Sequence, residues 1–166
     1  MSEHAPPRSR TRRNATDTYL TFALGDESFA LPILRVREII GITDITPVPR
    51  MPAHVRGVLN LRGKVIPVID LRRRMGFEPV PDHKRTCIVI VQTGSGAEAI
   101  LVGAVVDRVS EVRDIPPSQI EPPPQFGAIA DPGCITGVGK GGKHVVMLLD
   151  TDRVAGREEL PVNLKN

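Results

Sequence analysis

The chain is poor in aromatic residues and cysteine: its 166 residues include no tryptophan, one tyrosine, four phenylalanines and two cysteines. With 40% hydrophobic residues but only 3% aromatic ones, a core must consist mostly of valine, isoleucine and leucine. These residues favour β-strands where the apolar runs are short. The cysteines, Cys87 and Cys134, lack the spacing of a CxxC pair, and the apolar neighbours of Cys87 indicate a buried thiol.

Long hydrophobic runs are also missing. No apolar stretch approaches the roughly 20 residues that a membrane helix needs. Residues 1–16 contain no hydrophobic stretch like that of a signal peptide, so we expect a cytoplasmic protein. Sixteen prolines and fifteen glycines spread through the chain favour many short elements over long helices. The length predicts one domain or two very small ones.

The basic character of the chain is confined to its beginning. Residues 1–16 contain four arginines and one glutamate, a net charge of +3, which equals the formal net charge of the whole chain. The remaining residues therefore sum to zero. The basic segment is rich in Ser, Thr, Arg and Pro, which predicts a disordered tail. A folded nucleic-acid binder would more often show a basic face with aromatic residues for stacking.

Motifs for catalysis are missing as well. The sequence contains no HExxH motif, Walker loop or CxxC pair, so we expect no metal site and no cofactor. Nucleophilic catalysis needs a nucleophile, a base and an orienting group within hydrogen-bond reach. His54 and His144 have no nearby Ser or Cys in a suitable context. The glycine-rich run 137–143 leads into a strand rather than a helix, which indicates a hairpin loop. We therefore expect that the protein is not an enzyme.

The apolar runs predict ten short strands, at 18–24, 28–31, 42–48, 58–61, 65–71, 86–92, 99–106, 108–115, 135–138 and 144–149. Pro32 opens a predicted helix over 33–40, with Gly41 as its stop. We also expect a helical turn at 52–55 and a short terminal helix capped by Asp150 or Asp152.

Two features repeat along the chain. Arg35-Val36-Arg37-Glu38 resembles Arg108-Val109-Ser110-Glu111. Gly57 precedes Asp70 by thirteen residues, and Gly137 precedes Asp150 by the same distance. In both copies an apolar strand ends at the aspartate. The pattern fits an internal duplication, although any two β-rich halves can share such features.

The segment 46–71 is the most informative part of the sequence. Two apolar strands flank the turn Asn60-Leu61-Arg62-Gly63. Asn and Gly tolerate the backbone angles of a tight turn, but a turn does not need arginine. Held by rigid strands, Arg62 is a candidate for bidentate pairing with a carboxylate on a partner. The alternative is an arginine that only decorates a hairpin.

This segment is similar to the signature of the CheW family, the coupling proteins that join bacterial chemoreceptors to their histidine kinase. The matching residues are Pro52, Gly57-Val58, Asn60-Leu61-Arg62-Gly63, Ile66-Pro67-Val68 and Asp70-Leu71. Further matches follow the family order at residues 22–27 and 36–39 upstream and at 105–112 and 135–139 downstream. The resemblance covers about residues 17–155.

The resemblance implies an all-β fold of two intertwined five-stranded SH3-like β-barrels with short connecting helices and exchanged strands. Residues 17–155 would form a single CheW-like domain made of two barrel subdomains. The basic tail 1–16 would precede it, and a C-terminal tail, 156–166, would follow. Closed barrels would limit exposed sheet edges.

The resemblance also implies a non-enzymatic adaptor. One surface would bind the cytoplasmic signalling tip of a chemoreceptor, and another would bind the regulatory domain of the CheA histidine kinase. The protein would be cytoplasmic and recruited to membrane receptor arrays. Matched by position, the receptor-binding residues are Val36, Glu38, Gly57, Arg62 and Val112.

Physical roles can be suggested for these five residues. Val36 and Val112 would line an apolar groove between the barrels, in which a receptor helix would lie. Gly57 would allow the helix to approach closely. Glu38 and Arg62 would pair with each other or with polar groups of the receptor and fix the register.

Each assignment has a structural alternative. Val36 fits a plain core residue, Glu38 a solvated helix residue and Gly57 a helix stop. By resemblance, Glu121 and Phe126 are kinase or ring contacts. The stretch around them is unusually rich in proline, and Phe126 could equally tuck over a barrel end.

Two alternative functions stay open. One is a CheW-like adaptor of a non-flagellar receptor pathway, and the other is an SH3-like nucleic-acid-binding module with a basic tail. Salt-dependent binding that is lost on deletion of residues 1–16 would support the second.

Overall fold

A computed structural model of the chain describes residues 15–123, 132–140, 142, 144–156 and 160. These residues contain eleven strands: β1 Thr18–Leu24, β2 Glu27–Pro32, β3 Val36–Gly41, β4 Val55–Leu61, β5 Lys64–Asp70, β6 Cys87–Thr93, β7 Ile100–Val106, β8 Arg108–Asp114, β9 Ile120–Glu121, β10 Ile135–Gly139 and β11 Val146–Leu149. Two short helices follow strands, α1 at Leu71–Arg74 and α2 at Thr151–Ala155. In this part of the chain no helix is long and apolar enough to cross a membrane. The expected all-β class is confirmed.

The strands form two sheets with the same internal order. The six-stranded sheet runs β8-β1-β2-β11-β10-β9, and the five-stranded sheet runs β3-β6-β7-β5-β4. The first five strands of the six-stranded order correspond one by one to the five-stranded order. In each sheet a single parallel pair, β2 with β11 or β7 with β5, joins two antiparallel hairpins. No ladder among the described strands closes either sheet.

The two sheets exchange strands, as the resemblance implied. β1 and β2 come from the first half of the chain but pair with β8 and β11 of the second half. β6 and β7 of the second half pair in turn with β3 and β5 of the first. Neither sheet can therefore be completed by one half of the chain.

Each short helix begins at an aspartate that ends a strand. The side chain of Asp70 accepts hydrogen bonds from the backbone N–H groups of Arg72 and Arg73, at 3.0 and 3.4 Å. Asp150 accepts one from the N–H of Arg153 at 3.1 Å. Aspartate is a favourable N-cap because it satisfies donors that the first helical turn leaves free. The cap that the sequence suggested at Asp150 is confirmed, and helix α2 ends at Gly156 in the left-handed conformation.

The main core lies between the sheets and takes side chains from both. Phe22, Phe29 and Leu31 contribute from the six-stranded sheet, and Val89 and Val91 from the five-stranded sheet. Two smaller clusters lie elsewhere, one around Val68, Ile88 and Ile90 and the other around Ala30, Ile115 and Val146. Aliphatic residues make up most of all three clusters, as the composition predicts.

The predicted helix over 33–40 is wrong. A single 3-10 turn, Ile33–Arg35, is followed directly by strand β3, which pairs with β6. The prediction relied on Ile33, Val36 and Ile40, which recur at helical spacing. That spacing is coincidental, because the side chains of β3 alternate between half-buried and exposed. Pairing with β6 therefore outweighs the local helical pattern.

Two further predictions between β3 and β4 are wrong. Residues 42–48 form no strand and contribute one isolated bridge, between Thr46 and Val58. Pro47 and Pro49 have no backbone N–H, so a longer ladder could not be completed there. The predicted helical turn at 52–55 is a hydrogen-bonded turn in which the N–H of Val55 donates to the carbonyl of Pro52 at 2.9 Å.

Candidate partner-binding groove

The turn between β4 and β5 places Arg62 at the rim of the five-stranded sheet. Arg62 and Gly63 are the two central residues of this turn, with φ angles of 52° and 87°. Positive φ at both central positions matches the type I′ turn, which suits the twist of a hairpin. The side chain of Asn60 accepts a hydrogen bond from the N–H of Gly63 at 2.8 Å. An arginine at positive φ is uncommon, because its β-carbon crowds the backbone.

Arg62 pairs with Glu38. The guanidinium donates to the carboxylate of Glu38, which lies on the edge strand β3. Arg62 is 70% exposed and Glu38 is 31% exposed, so a large part of the arginine remains available to a partner. The sequence analysis suggested that Glu38 and Arg62 pair with each other or with polar groups of the receptor, and the structure shows the first of these contacts.

A groove with a volume of about 770 Å³ lies beside this ion pair. Its apolar lining comes from four strands and includes Val58 of β4, Val65 and Ile66 of β5, Ile90 of β6 and Leu101 of β7. Ile66 and Ile90 are fully buried, whereas Val65 is 64% exposed. The groove thus has a rigid apolar floor and one apolar side chain that stands free at its edge.

The polar lining of the groove is mostly cationic. Arg37, Arg62 and Lys64 carry positive charge there and Glu38 carries negative charge, a net +2. Arg37 donates to the side-chain carbonyl of Gln92 and, at 3.1 Å, to the backbone carbonyl of Leu34. The arrangement favours an apolar segment that carries acidic groups.

The other three receptor residues predicted from the resemblance do not line this groove. Val36 is half-buried and packs against the main core. Val112 is 56% exposed but lies on β8, the edge of the other sheet. The structure puts Val36 and Val112 in different sheets.

Gly57 has a structural reason to be glycine. Its φ is +142°, and an added β-carbon would lie 2.0 Å from the carbonyl oxygen of Thr46 and 2.9 Å from the α-carbon of Pro47. The same approach allows Thr46 and Val58 to exchange two backbone hydrogen bonds, at 2.8 and 2.9 Å. The close approach that the sequence predicted for a receptor helix is made here by the chain itself.

The predicted kinase contacts are partly described. Glu121 is exposed on the short edge strand β9, and its carboxylate accepts a hydrogen bond from Nζ of Lys140 at 2.7 Å. Phe126 lies outside the described residues.

Among the residues that line the groove, sequence reasoning gave a site role only to Glu38 and Arg62. The residues it missed include Arg37, Lys64, Val65, Gln92 and Leu101. The signal that could have found two of them is position, because Lys64 and Val65 directly follow the turn that carries Arg62, and both are exposed. Leu101 could not be predicted as a groove residue, because the parallel pairing of β5 with β7 joins segments some 35 residues apart.

Two arginine–aspartate clusters brace the base of the hairpin. Arg56 of β4 pairs with Asp82 at 2.9 Å and lies 3.5 Å from Asp70. The hydrogen bond and charge of Arg56 hold the pKa of Asp82 below its usual value, against the opposing effect of burial. Arg72 of α1 donates to Asp107 at 2.7 Å, where the chain passes from one sheet to the other.

Asp107 also accepts the backbone N–H of Gly25 at 2.6 Å. Burial alone would raise the pKa of Asp107, but the hydrogen bonds from Arg72 and Gly25 and the positive charge of Arg72 outweigh it. The pKa of Asp107 therefore lies below its usual value.

The described residues contain no group of three or more His, Cys, Asp or Glu side chains arranged to hold a metal ion. What the groove can do is bind: it combines an apolar floor, a cationic rim and an exposed, oriented arginine.

Comparison with known proteins identifies the family of the chain. The family model for the CheW-like domain matches residues 18–159. The chemotaxis protein CheW of Klebsiella aerogenes is 34% identical, over 86% of this chain and 83% of its own length. That of Rhizobium meliloti is also 34% identical, over 84% and 88%. The protein FrzA of Myxococcus xanthus is 35% identical over 68% of each chain.

A solved structure is similar as well. The scaffolding protein TtCheW of Thermoanaerobacter tengcongensis superimposes with a TM-score of 0.75 at 32% sequence identity, covering 84% of this chain and 92% of its own. The family match, the relatives and the shared fold lead to one conclusion: the chain belongs to the CheW family of chemotaxis proteins.

Proposed function

We propose that this protein is a non-enzymatic adaptor that couples chemoreceptors to the CheA histidine kinase. The observation that carries the proposal is the Glu38–Arg62 pair at the rim of the groove, with Arg62 held at positive φ and 70% exposed. A strained, exposed arginine on a rigid hairpin suits recognition of a partner. The family membership supports the same role.

The receptor partner is a helical segment with an apolar face and acidic flanks. The apolar floor of the groove accepts the apolar face, as grooves for amphipathic helices do. Arg62 and Lys64 attract the acidic flanks, which fixes orientation and register more than it adds affinity. Val112 and Val36 extend the contact beyond the groove, and Gly57 keeps the backbone beneath the hairpin in place.

The kinase binds a separate surface, around β9 and β10. Glu121 and Lys140 are both at least half exposed there, and Phe126 belongs to the same part of the sequence. With the receptor in the groove, the two surfaces allow both partners to bind at once. The protein then acts in the cytoplasm at receptor arrays.

The pathway that the adaptor serves is a second question. The similarity to FrzA of Myxococcus xanthus, at 35% identity, keeps a non-flagellar receptor pathway as a candidate beside flagellar chemotaxis. The proposed chemistry of the groove is the same in both.

The test is kinase activity in a reconstituted mixture. Purified receptor signalling fragment and CheA from the source organism are assayed with and without the protein. We expect receptor control of ATP turnover only when the protein is present. The dissociation constant for the receptor fragment should rise about tenfold in Arg62→Ala, which corresponds to about 1.4 kcal/mol, with the melting temperature unchanged.

Arg50→Ala is the matched control. Arg50 is also an exposed arginine at positive φ, 64°, but it is not a groove residue. We expect it to bind the receptor fragment like the wild type. Equal weakening in both variants would show that the loss of any exposed positive charge suffices, and an unchanged dissociation constant in Arg62→Ala would contradict the assignment of the groove.

A further inference from the structure

Helix α2 is tied to the five-stranded sheet by a closed ring of hydrogen bonds. The carboxylate of Asp152 accepts the backbone N–H of Gly94 at 2.9 Å and pairs with Arg35 at 3.3 Å. Arg35 in turn donates to the carbonyls of Gln92 and Gly94, at 2.9 and 3.3 Å. Asp152 and Arg35 therefore hold the end of β6 from both sides.

The ring contacts the start of β3 and the end of β6, and both strands carry residues that line the groove. Arg35 directly precedes β3, and Arg37 and Glu38 follow within three residues on the groove wall. Gln92 contributes its backbone carbonyl to Arg35, while its side chain accepts from Arg37 inside the groove. A shift of Arg35 would thus move both β3 and the Arg37–Gln92 contact.

The other half of the chain has a corresponding link with reversed charges. Arg72 is the second residue of α1, as Asp152 is of α2. Its partner Asp107 lies where β7 passes into β8, as Arg35 lies between β2 and β3. In each link the carboxylate also accepts the N–H of a turn glycine, Gly25 or Gly94.

The two links differ in burial and in location. The side chains of Arg72 and Asp107 are 17% and 13% exposed, against 33% and 49% for Arg35 and Asp152. Neither Arg72 nor Asp107 lines the groove. Arg35, in contrast, donates to the backbone carbonyl of Gln92, which is a groove residue. An exposed ion pair stabilises a fold only slightly. The link between Arg35 and Asp152 therefore has more influence on local geometry than on global stability.

We propose that Asp152 is a positioning residue for partner binding, which acts through Arg35 to hold β3 and the end of β6 at the separation that the groove requires. The inference rests on the proposed function of the groove. It extends the binding site to helix α2, which lies some 60 residues after Gln92 in the sequence and does not itself line the groove.

The test uses the full chain and three variants on or near α2. In Asp152→Ala we expect the dissociation constant for the receptor signalling fragment to rise roughly fivefold, a size typical of coupling through a hydrogen-bonded network. Removal of a negative charge near a cationic groove would by itself strengthen the binding of an acidic partner. Weaker binding in Asp152→Ala would therefore indicate lost positioning of the groove and not a charge effect.

Two variants separate positioning from other causes. Asp152→Glu keeps the carboxylate and should recover most of the affinity. Arg153→Ala changes the neighbouring exposed side chain on the same helix and should bind like the wild type. The melting temperature should stay close to that of the wild type in all three, because the link is largely exposed.

Hydrogen exchange provides a readout that needs no partner. In Asp152→Ala the amides of Gly94 and of β3 should exchange faster, while those of β1 and β2 stay protected. If exchange in β3 is unchanged, the proposal is overturned whether or not the fragment binds. If exchange rises but affinity holds in Asp152→Ala and falls in Arg62→Ala, the positioning role is overturned and the proposed function stands. If Arg62→Ala also binds normally, the proposed function of the groove fails.

Discussion

Replacement of Asp107 by alanine tests whether the link between the sheets holds the fold together. Asp107 sits at the crossing from β7 to β8, and its carboxylate accepts from Nε and Nη2 of Arg72, at 2.9 and 2.7 Å, and from the N–H of Gly25 at 2.6 Å. With 13% of its side chain exposed, it is nearly buried. Asp107→Ala would remove the acceptor of the Nε and Nη2 groups of Arg72 and of the backbone N–H of Gly25.

The magnitude follows from these contacts. Loss of one partner of a buried ion pair costs about 3–5 kcal/mol, and a hydrogen bond to a charged group contributes about 1.5–3 kcal/mol. Because the pair is partly reached by water, and because Arg72 keeps its bond to the carbonyl of Glu78 at 2.8 Å, we expect a loss of about 3 kcal/mol. For a chain of this length that loss lowers the melting temperature by roughly 6–12 °C.

Urea unfolding followed by circular dichroism measures the effect. Asp26→Ala is the control, since it removes an exposed carboxylate from the same β1–β2 turn and should change the free energy of unfolding by less than about 0.5 kcal/mol. A loss below about 1 kcal/mol in Asp107→Ala would refute the reasoning. It would mean that the exchanged strands hold the two sheets together without this link.

Two further predictions concern the substitution of Gly57 and the loss of stability at low pH. Gly57→Ala should lower the free energy of unfolding by clearly more than about 1 kcal/mol, because the added methyl group would lie 2.0 Å from the carbonyl oxygen of Thr46. Gly41→Ala is the control: its methyl group meets nothing within 4 Å, and the free energy of unfolding should hardly change in the same urea titration. The pKa values of Asp82 and Asp107 are lower in the folded than in the unfolded chain, so their stabilisation is complete above about pH 4 and is lost as the pH falls through the folded values. The urea midpoint should therefore fall more steeply from pH 5 to pH 3 in the wild type than in Asp82→Asn/Asp107→Asn, and parallel curves would contradict this.

The hairpin that carries Arg62 could be predicted from the sequence because its signals are local. Asn60 and Gly63 mark the turn, and the apolar residues on either side set the strands. Strand β3 could not be predicted in the same way, because residues 33–40 fit a helical spacing and only the partner strand β6 decides between the two. Local patterns are weak where pairing across the chain supplies most of the stability.

The groove itself was harder to predict than its charged residues. Glu38 and Arg62 were expected to pair with each other or with polar groups of the receptor, and in the structure they contact each other. The floor depends on a parallel pairing between β5 and β7, and the wall depends on Gln92, whose polar side chain gave no signal. The link between Arg35 and Asp152 joins residues 117 positions apart, and no local pattern in the sequence indicates such a pair.

The backbone of Arg62 indicates why an arginine occupies this turn. A residue other than glycine in the left-handed region costs about 1–2 kcal/mol, and asparagine or glycine would fit the type I′ position with less strain. The ion pair with Glu38 offsets this only in part, since exposed pairs contribute about 0–1 kcal/mol and Arg62 is 70% exposed. Within the isolated chain the arginine is therefore not the most stable choice. We propose that the contribution that would make it the better residue comes from a partner that binds at the groove.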